Sequence, residues 1–192
     1  ALACSLLVEA CETGSKTARS VALPTETHSL ELAQTLTYRP PLAADALLRA
    51  LAAHAVPGLE VTEQAAGRHT RVVSLPSGPA LVKVSLADGS VRVATSAPAG
   101  DLPALEAAVR RWLDLDAHPE VVDAYLAYDR RLRPLVSKRP GLRILGHTSG
   151  YEAAVQTVLG QQVSVRAART FAARFVAAHG EPVTDRFRSF PT

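Results

Sequence analysis

The stretch ALVKVSLADGSVRVAT, residues 80–95, decides which kind of fold this chain can adopt. Apolar and polar side chains alternate over residues 80–86 and again over residues 91–95, which is the pattern of half-buried strands. Between the two runs stands Asp88-Gly89, a dipeptide that suits the left-handed positions of a type I′ turn. The stretch therefore predicts a β-hairpin and, with it, an antiparallel sheet.

Towards the amino terminus, three further segments have strand character and one has helical character. Residues 59–62 and 70–75 alternate weakly, whereas residues 30–38 alternate clearly on a face formed by Leu30, Leu32, Leu36 and Tyr38, with Gln34 as the exception. A helix is predicted over residues 43–56, where a leucine stripe ends at Pro57-Gly58. One face of such a sheet must be covered, and we expect the first helix to cover it.

After Gly100 the pattern becomes helical. Asp101 is predicted to cap a helix whose apolar stripe contains Leu105, Val109, Trp112 and Leu113. A short helix is predicted over residues 119–128, and residues 132–143 are expected to form an irregular connection because prolines interrupt them. Strands followed by helices predict an α+β fold, with an antiparallel sheet and its covering helices at the amino-terminal side.

Two close-set helices are predicted at the end of the chain, over residues 150–159 and 164–179. Ser164 is expected to cap the second helix, and Gly180 is expected to end it. The Gly160-Gln161-Gln162 corner exposes two amides beside the free N–H groups of a helix start, which suits a phosphate or a base edge. Amides at a tight turn are more often simply solvated. The corner by itself is therefore compatible with a solvated turn as well as with a DNA contact.

Composition excludes several classes of protein. The 192 residues are 47% hydrophobic and 20% charged, which is ordinary for a globular protein and excludes a disordered chain. No uninterrupted apolar run approaches the roughly 18 residues of a membrane span. Residues 1–10 lack the basic start of a signal peptide. We therefore expect a cytoplasmic protein with no membrane partner.

The two ends of the sequence suggest a piece of a longer protein. The chain contains no methionine, opens on Ala1 and stops at Phe190-Pro191-Thr192 without a helix cap. Residues 1–29 lack periodicity and are predicted to be a linker-like tail. Cys4 and Cys11 lie in this tail and are expected to be free thiols, because a disulfide framework or a zinc site would need further ligands.

The net charge of +3 is unevenly distributed along the chain. Residues 1–103 hold 8 Lys/Arg against 9 Asp/Glu, whereas residues 104–192 hold 13 against 9. Much of the excess lies in one stretch that contains Arg130, Arg131, Arg133, Lys138, Arg139 and Arg143. Such a stretch is either a solvated basic face or a patch that faces phosphates.

The carboxy-terminal sequence also resembles a known family. The words RPGLRILG (residues 139–146) and YEAAVQTVLGQQVSVRAARTFAARF (residues 151–175) resemble the DNA-3-methyladenine glycosylase II family of the helix-hairpin-helix superfamily. The words LTYRPPLAADALLRALAAHAVPGLE (residues 36–60) and LDLDAHPEVVDAYL (residues 113–126) extend the resemblance upstream. It covers roughly residues 30–192, and the order of sheet and helices agrees with it.

The resemblance implies a repair activity. Members of the family flip an alkylated base out of duplex DNA and hydrolyse its N-glycosidic bond, and they use no metal or cofactor. Flipping leaves a gap that a wedge from the protein must fill. By resemblance, the wedge lies in the loop that matches residues 160–163 and aligns on Gln162, where one known version of the family has an apolar residue. The residues predicted to contact DNA are Gln161, Gln162, Val163 and Ser164.

The chain departs from the family at positions that matter for catalysis. It contains no segment of the form LPGIGPWTA, and none of its aspartates, Asp185 included, matches the family's catalytic aspartate. We expect both features to lie beyond Thr192, so that this chain contains no catalytic residue and is inactive alone. An aromatic residue that members can place in the base pocket aligns on Ala50, which leaves part of the pocket wall without its ring.

Other potential sites do not form convincing patterns. His28, His54, His69, His118, His147 and His179 are scattered, so we predict no metal site and expect surface or capping roles. Asp114 and Asp116 are two residues apart and would point to different faces of a helix. Glycosidic chemistry needs carboxylates that converge.

The resemblance leads to a division into three parts: a tail over residues 1–29, an α+β domain over residues 30–149 and the start of a helical domain over residues 150–192. The implied partner is double-stranded DNA with alkylated bases, bound by a nucleoid-associated monomer that an upstream regulatory domain could precede. Two alternatives are a DNA-binding module without catalysis and a glycosylase of the same superfamily that excises oxidised bases with a lysine nucleophile. The gene sequence past Thr192 would distinguish them.

Overall fold

The computed structural model describes residues 30–87 and 89–192. Its strands are β1 (Leu32–Thr37), β2 (Glu60–Glu63), β3 (Arg68–Leu75), β4 (Gly78–Ala87) and β5 (Ser90–Thr95). Its helices are α1 (Ala44–His54), α2 (Leu102–Leu113), α3 (Pro119–Leu126), α4 (Arg133–Lys138), α5 (Gly150–Gly160) and α6 (Val165–His179). The predicted α+β class is confirmed. The tail and its two cysteines lie outside the described residues.

The five strands form one antiparallel sheet in the order β1-β5-β4-β3-β2. The hairpin of the opening stretch is present, because Ala87 pairs with Ser90 and the pairing runs from there to Val82 opposite Thr95. Asp88 itself lies outside the described residues, and Gly89 has φ +72°, which is left-handed as an Asp-Gly turn requires. β1 adds to the free edge of β5, with Leu36 opposite Val91.

Both faces of the sheet are covered, although only one cover was expected. The first face packs its valines from β3, β4 and β5 against the leucines of α1 and against Leu105, Val109 and Trp112 of α2. The second face packs Val72 and Leu81 against Ala172 and Val176 of α6 and against the final turn of the chain. The expectation of a single cover was therefore incomplete, because Leu81 and Val72 stand on the opposite face from their strand neighbours and need a partner of their own.

Two helix ends differ from the predicted chemistry. Asp101 precedes α2 but does not cap it, because its carboxylate instead accepts hydrogen bonds from the backbone N and the Oγ of Ser77, both at 3.1 Å. Gly180 ends α6 as predicted, yet its φ is −77° rather than left-handed. Glycine is required there by space, since an added Cβ would lie 2.2 Å from the carbonyl oxygen of Ser189.

The expectation of an irregular connection over residues 132–143 was wrong in its first half. These residues form the six-residue helix α4, which begins at Arg133 and has Pro134 in its first turn. Proline is tolerated there because the first N–H groups of a helix have no intrahelical acceptor. α4 ends before Pro140, so only the second proline interrupts helical structure.

Candidate nucleic-acid interface

The corner between α5 and α6 is an exposed loop. α5 ends at Gly160, and α6 begins at Val165. The side chains between them are all exposed, and they belong to Gln161, Gln162, Val163 and Ser164. The structure therefore presents the four predicted contact residues together at one accessible site.

Gln162 has a left-handed backbone, with φ +60°. Among the described residues, Asp114 is the only other non-glycine residue with positive φ. A left-handed conformation costs a residue with a Cβ roughly 1–2 kcal/mol. Such strain concentrates at ligand-binding and catalytic sites, where it holds a side chain in a required direction. The conformation of Gln162 turns the chain between α5 and α6 and fixes the direction in which its side chain leaves the backbone.

The amino terminus of α6 lies directly beside the corner. Ser164 caps it as predicted, because its Oγ accepts a hydrogen bond from the backbone N of Ala167 at 3.3 Å. The earlier N–H groups of the first turn have no intrahelical acceptor, and the helix dipole makes this end positive. Arg166 is exposed in the same turn. A phosphate at the corner would therefore meet N–H donors and a positive charge.

The basic stretch divides into two groups. Arg133 donates from Nε to the carbonyl oxygen of Ala127 at 2.9 Å, and Arg143 donates from Nη2 to the carbonyl oxygen of Pro41 at 3.3 Å. These two guanidinium groups therefore bind backbone carbonyl oxygens of the same chain. Arg133 is exposed all the same, and four other exposed basic side chains make no side-chain hydrogen bond or ion pair within the described residues: Arg130, Arg131, Lys138 and Arg139.

The exposed basic group and the corner stand on different helix pairs. The four side chains lie in α4 and its flanks, whereas the corner joins α5 to α6. No hydrogen bond or ion pair among the described residues links the two regions. The corner and the exposed basic group are therefore two candidate contact regions for a polyanion, carried by different helices.

A buried ion cluster, which was not predicted from the sequence, lies between the sheet and the start of α5. It consists of Glu60 on β2, His69 and Arg71 on β3, and Glu152 in the first turn of α5. Arg71 donates from Nη2 to both carboxylate oxygens of Glu152, at 2.7 and 2.8 Å, and its Nη1 lies 3.6 Å from Oε2 of Glu60. His69 lies 3.2 Å from Oε2 of Glu60. The guanidinium also lies 5.1 Å from the ring centre of Trp112, a cation–π contact.

Mutual attraction in the cluster overcomes the cost of burial. Burial alone would raise the pKa of Glu60, but the nearby charge of Arg71 and the hydrogen bond from His69 outweigh it and hold the pKa below its usual value. Burial likewise opposes the charge of Arg71, yet Glu60 and Glu152 raise the pKa of its guanidinium. The carboxylate of Glu60 and the guanidinium of Arg71 are therefore both charged at neutral pH.

The expectation for His69 was wrong, because this side chain is fully buried rather than on the surface. Its Nδ1 is hydrogen-bonded to Oγ1 of Thr62 at 2.8 Å. A signal was present in the sequence. His69 and Arg71 occupy alternate positions of a strand whose next two residues on that face, Val73 and Leu75, are apolar, so the pattern placed a charge on a covered face.

Four other residues singled out from the sequence, Asp114, Asp116, Ala50 and Asp185, lie in different parts of the fold. Asp114 and Asp116 follow α2 rather than lying on it, so the expectation that they would occupy faces of a helix was wrong. The Nη1 of Arg110 donates to Asp116 at 2.7 Å. Ala50 is half-buried on α1, and Asp185 is exposed in the last turn of the chain. Within residues 30–87 and 89–192, no group of His, Cys, Asp or Glu side chains could hold a metal ion.

α3 and α4 carry an unusually apolar exposed surface. Its large side chains are between 38% and 82% accessible, and they are Val121, Val122, Tyr125, Leu126, Tyr128, Leu132 and Leu135. Large apolar side chains are more often buried in the core, so this segment of the chain exposes more of them than the rest of the described structure needs for folding. In the described part of the chain, no helix is both long enough and apolar enough to cross a bilayer.

Comparison with known protein families gives a direct match. The model of a family described as the AlkA N-terminal domain matches residues 33–149. A protein from Mycobacterium tuberculosis named "Probable bifunctional transcriptional activator/DNA repair enzyme AlkA" is 43% identical over 152 residues, which is 79% of this chain and 30% of the relative. "DNA-3-methyladenine glycosylase 2" from Escherichia coli is 30% identical over 161 residues, which is 82% of this chain and 55% of the relative.

The fold also matches a solved structure. A 3-methyladenine DNA-glycosylase from Archaeoglobus fulgidus superposes with a TM-score of 0.72 at 21% identity, over 83% of this chain and 56% of that one. At this identity the match shows a shared fold. The chain spans between about a third and about a half of the length of the curated relatives it matches.

Proposed function

We propose, from the premise that this chain belongs to the AlkA N-terminal domain family, that it is part of a base-excision repair DNA glycosylase. The substrate class is alkylated purines such as 3-methyladenine in duplex DNA. The reaction is monofunctional: water cleaves the N-glycosidic bond after the base has left the stack. The names of the relatives from M. tuberculosis and E. coli support the activity, and the observation that carries it in this chain is the exposed, strained corner at Gln162.

The corner would act as the wedge in base flipping. Extruding a base costs a few kcal/mol of stacking and pairing, less where the base is damaged. A side chain must occupy the vacated space for the extruded state to persist. Gln162 is exposed, has an extendable side chain and is held in one backbone conformation at the tip of two helices. These properties fit a residue that inserts into DNA without disturbing the core.

Phosphate contacts would hold the duplex against the corner. The capped amino terminus of α6 supplies N–H donors and partial positive charge next to Ser164. A second set of contacts would come from the exposed basic group, which consists of Arg130, Arg131, Lys138 and Arg139. Contacts of this kind set position and affinity but carry no sequence information, as a lesion-searching enzyme requires.

The domain division follows from the same premise. Residues 30–149 would be an α+β domain, and residues 150–192 would begin a helical domain that the longer protein completes. The exposed apolar side chains of α3 and α4 would then lie in the interface with that missing part. The relatives contain the additional length that such a domain needs, since this chain covers 55% of the E. coli protein.

The catalytic aspartate would come from the same missing part. Its charge stabilises a cationic sugar in the transition state, and electrostatic stabilisation of this kind is typically worth about 3 kcal/mol or more. The decisive experiment compares the 192-residue chain with the full-length gene product on methylated duplex DNA, with release of 3-methyladenine as the readout. Release by the full-length protein alone supports the proposal, whereas release by neither favours a DNA-binding module without catalysis.

An upstream partner domain is the last element of the proposal. The M. tuberculosis relative is named as both a transcriptional activator and a repair enzyme, and this chain covers only 30% of it. Residues 1–29 would then link a regulatory domain to the glycosylase, and the protein would act as a monomer on the nucleoid. Size-exclusion chromatography with light scattering on the full-length protein tests the monomer, and a dimer mass would contradict it.

A further inference from the structure

The buried ion cluster joins two parts of the chain that are far apart in sequence. Arg71 lies in the middle of β3, and Glu152 lies in the first turn of α5, 81 residues later. Both oxygens of the carboxylate accept from the same guanidinium nitrogen, and both side chains are about 95% buried. A buried ion pair differs from a surface ion pair, because water cannot replace either partner if the contact is broken.

α5 depends on this contact more than its neighbours do. Glu152 is the only fully buried residue of α5. Val155 and Leu159 are only partly buried against the second core. In contrast, α2 buries five residues, Trp112 and Leu113 among them. The direction of α5 on the sheet therefore depends strongly on one charged contact near its start, and the partly buried Val155 and Leu159 and the neighbouring α6 add only a narrow apolar contact.

Buried ion pairs are better suited to orientation than to stability. Removing two charges from water offsets most of their attraction, so an apolar pair of similar volume often stabilises a protein as much. Apolar packing, however, tolerates sliding, whereas the planar guanidinium of Arg71 directs Nη2 to Glu152 and Nη1 to Glu60 and so fixes the distance and angle between these groups. Glu152 is held further by Nε2 of Gln156 at 2.8 Å and by Oγ1 of Thr148 at 3.3 Å.

The corner stands at the other end of the same helix. Glu152 and Gly160 are eight residues apart, which is about 12 Å along a helix. A tilt of α5 by about 10° about its start would therefore move the corner by about 2 Å. Displacements of about 1 Å at a reacting geometry can cost on the order of 100-fold in rate. A small error in the direction of α5 would thus be amplified at Gln162.

We propose that Arg71 and Glu152 are positioning residues for DNA glycosylase action. Their buried contact fixes α5 on the sheet and so aims the corner at the duplex. The α+β domain then has a definite role in the reaction, because its strand β3 holds the arginine on which the aim of the corner depends. This inference rests on the proposed function for its effect on excision, but the geometric effect can be measured independently.

The first measurement is a distance in the full-length protein. Spin labels are placed at two exposed positions, Arg92→Cys on β5 and Arg166→Cys on α6, after the other cysteines are replaced by serine. Glu152→Ala should broaden the distance distribution or shift it by about 2 Å or more. Glu152→Gln, which keeps the shape and one acceptor oxygen, should restore the wild-type distribution.

The second measurement is single-turnover excision by the unlabelled variants. Glu152→Ala should lower the rate on a paired lesion by roughly tenfold or more, and Glu152→Gln should recover most of that rate. The loss should be smaller on a mismatched lesion, because less energy is needed to extrude a poorly paired base. Arg68→Met is the matched control, because Arg68 lies on the same strand and pairs with Glu63 at 3.4 Å rather than with α5.

The outcomes separate the inference from the function on which it rests. A lower Tm of Glu152→Ala with wild-type distances and wild-type excision would show a merely structural pair and overturn the proposal. If Glu152→Ala does not fold, Arg71→Lys is the test, because lysine keeps the charge but cannot direct two planar nitrogens at Glu152 and Glu60 at once. Unchanged distances in Arg71→Lys would overturn the proposal as well. Absence of excision by the wild type refutes the proposed function, while the distances still decide the role of the pair.

Discussion

Replacing Gln162 by alanine in the full-length protein should separate excision from folding. The side chain is exposed at the corner, so its removal should cost under about 0.5 kcal/mol of stability. Alanine also has a Cβ, and the strain of φ +60° is therefore the same in both proteins. The shift in Tm should stay below about 2 °C for a domain of this size.

The effect on excision should be larger. A side chain that fills the gap in the stack is expected to contribute on the order of 1–3 kcal/mol, by analogy with bases stacked on side chains. That range corresponds to about a 5- to 150-fold loss in rate. Gln162→Asn should lie between alanine and the wild type, because asparagine keeps the amide, reaches less far and tolerates the left-handed conformation.

Single-turnover release of an alkylated base from a labelled duplex measures the rate, and a thermal melt on the same preparation measures stability. Gln64→Ala is the matched control, because Gln64 is an exposed glutamine in the turn between β2 and β3. A wild-type rate in Gln162→Ala would refute the wedge. A large fall in Tm would instead show that the corner is structural.

Three further outcomes are expected. In a filter-binding titration, the affinity for DNA should fall steeply as the salt concentration rises. Replacing the exposed basic group, Arg130, Arg131, Lys138 and Arg139, should flatten the plot of log affinity against log salt. An affinity that does not depend on salt would show that this group is only a solvated face. Because the folded pKa of Glu60 lies below 4.5, its stabilising contribution should be complete above that pH and lost as pH falls through the folded pKa. Thermal melts from pH 7 to 3 should therefore show a shallower acid decline in Glu60→Gln than in the wild type, and parallel declines would contradict it. Gly180→Ala should lower Tm by several degrees, since its Cβ would overlap the carbonyl oxygen of Ser189, and a Tm equal to the wild type would show that the last turn can move aside.

Local pattern was sufficient for most of the fold. The alternation around Asp88-Gly89 predicted a hairpin, and the structure pairs residues 82–87 with 90–95. The leucine stripe of α1 and the Ser164 cap of α6 were also predicted correctly. These features depend on side-chain period and on chemistry within a few residues, which a sequence displays directly.

The candidate site was predictable in part. The corner followed from its place between two helical patterns, and the family resemblance singled out Gln162, whose role stays a prediction. The left-handed φ of Gln162 could not be anticipated, because glutamine has no special preference for that conformation. That Arg133 and Arg143 bind backbone carbonyl groups, unlike the other basic residues of the stretch, could not be predicted either. Their acceptors, on Ala127 and Pro41, are positioned by the fold and not by a local pattern.

The sequence by itself determined the order of the strands and of all helices except α4, the hairpin at Asp88-Gly89 and the exposed corner, because each of these depends on neighbours along the chain. Only the tertiary structure decided that both faces of the sheet are covered and that Arg71 meets Glu152. Residues 81 positions apart come together through the packing of every element between them, and no local pattern encodes that distance. Burial also changes what Arg71 does. In the sequence it is one more positive charge, whereas in the fold it is shielded from water and paired with Glu152, so that it connects the sheet to α5.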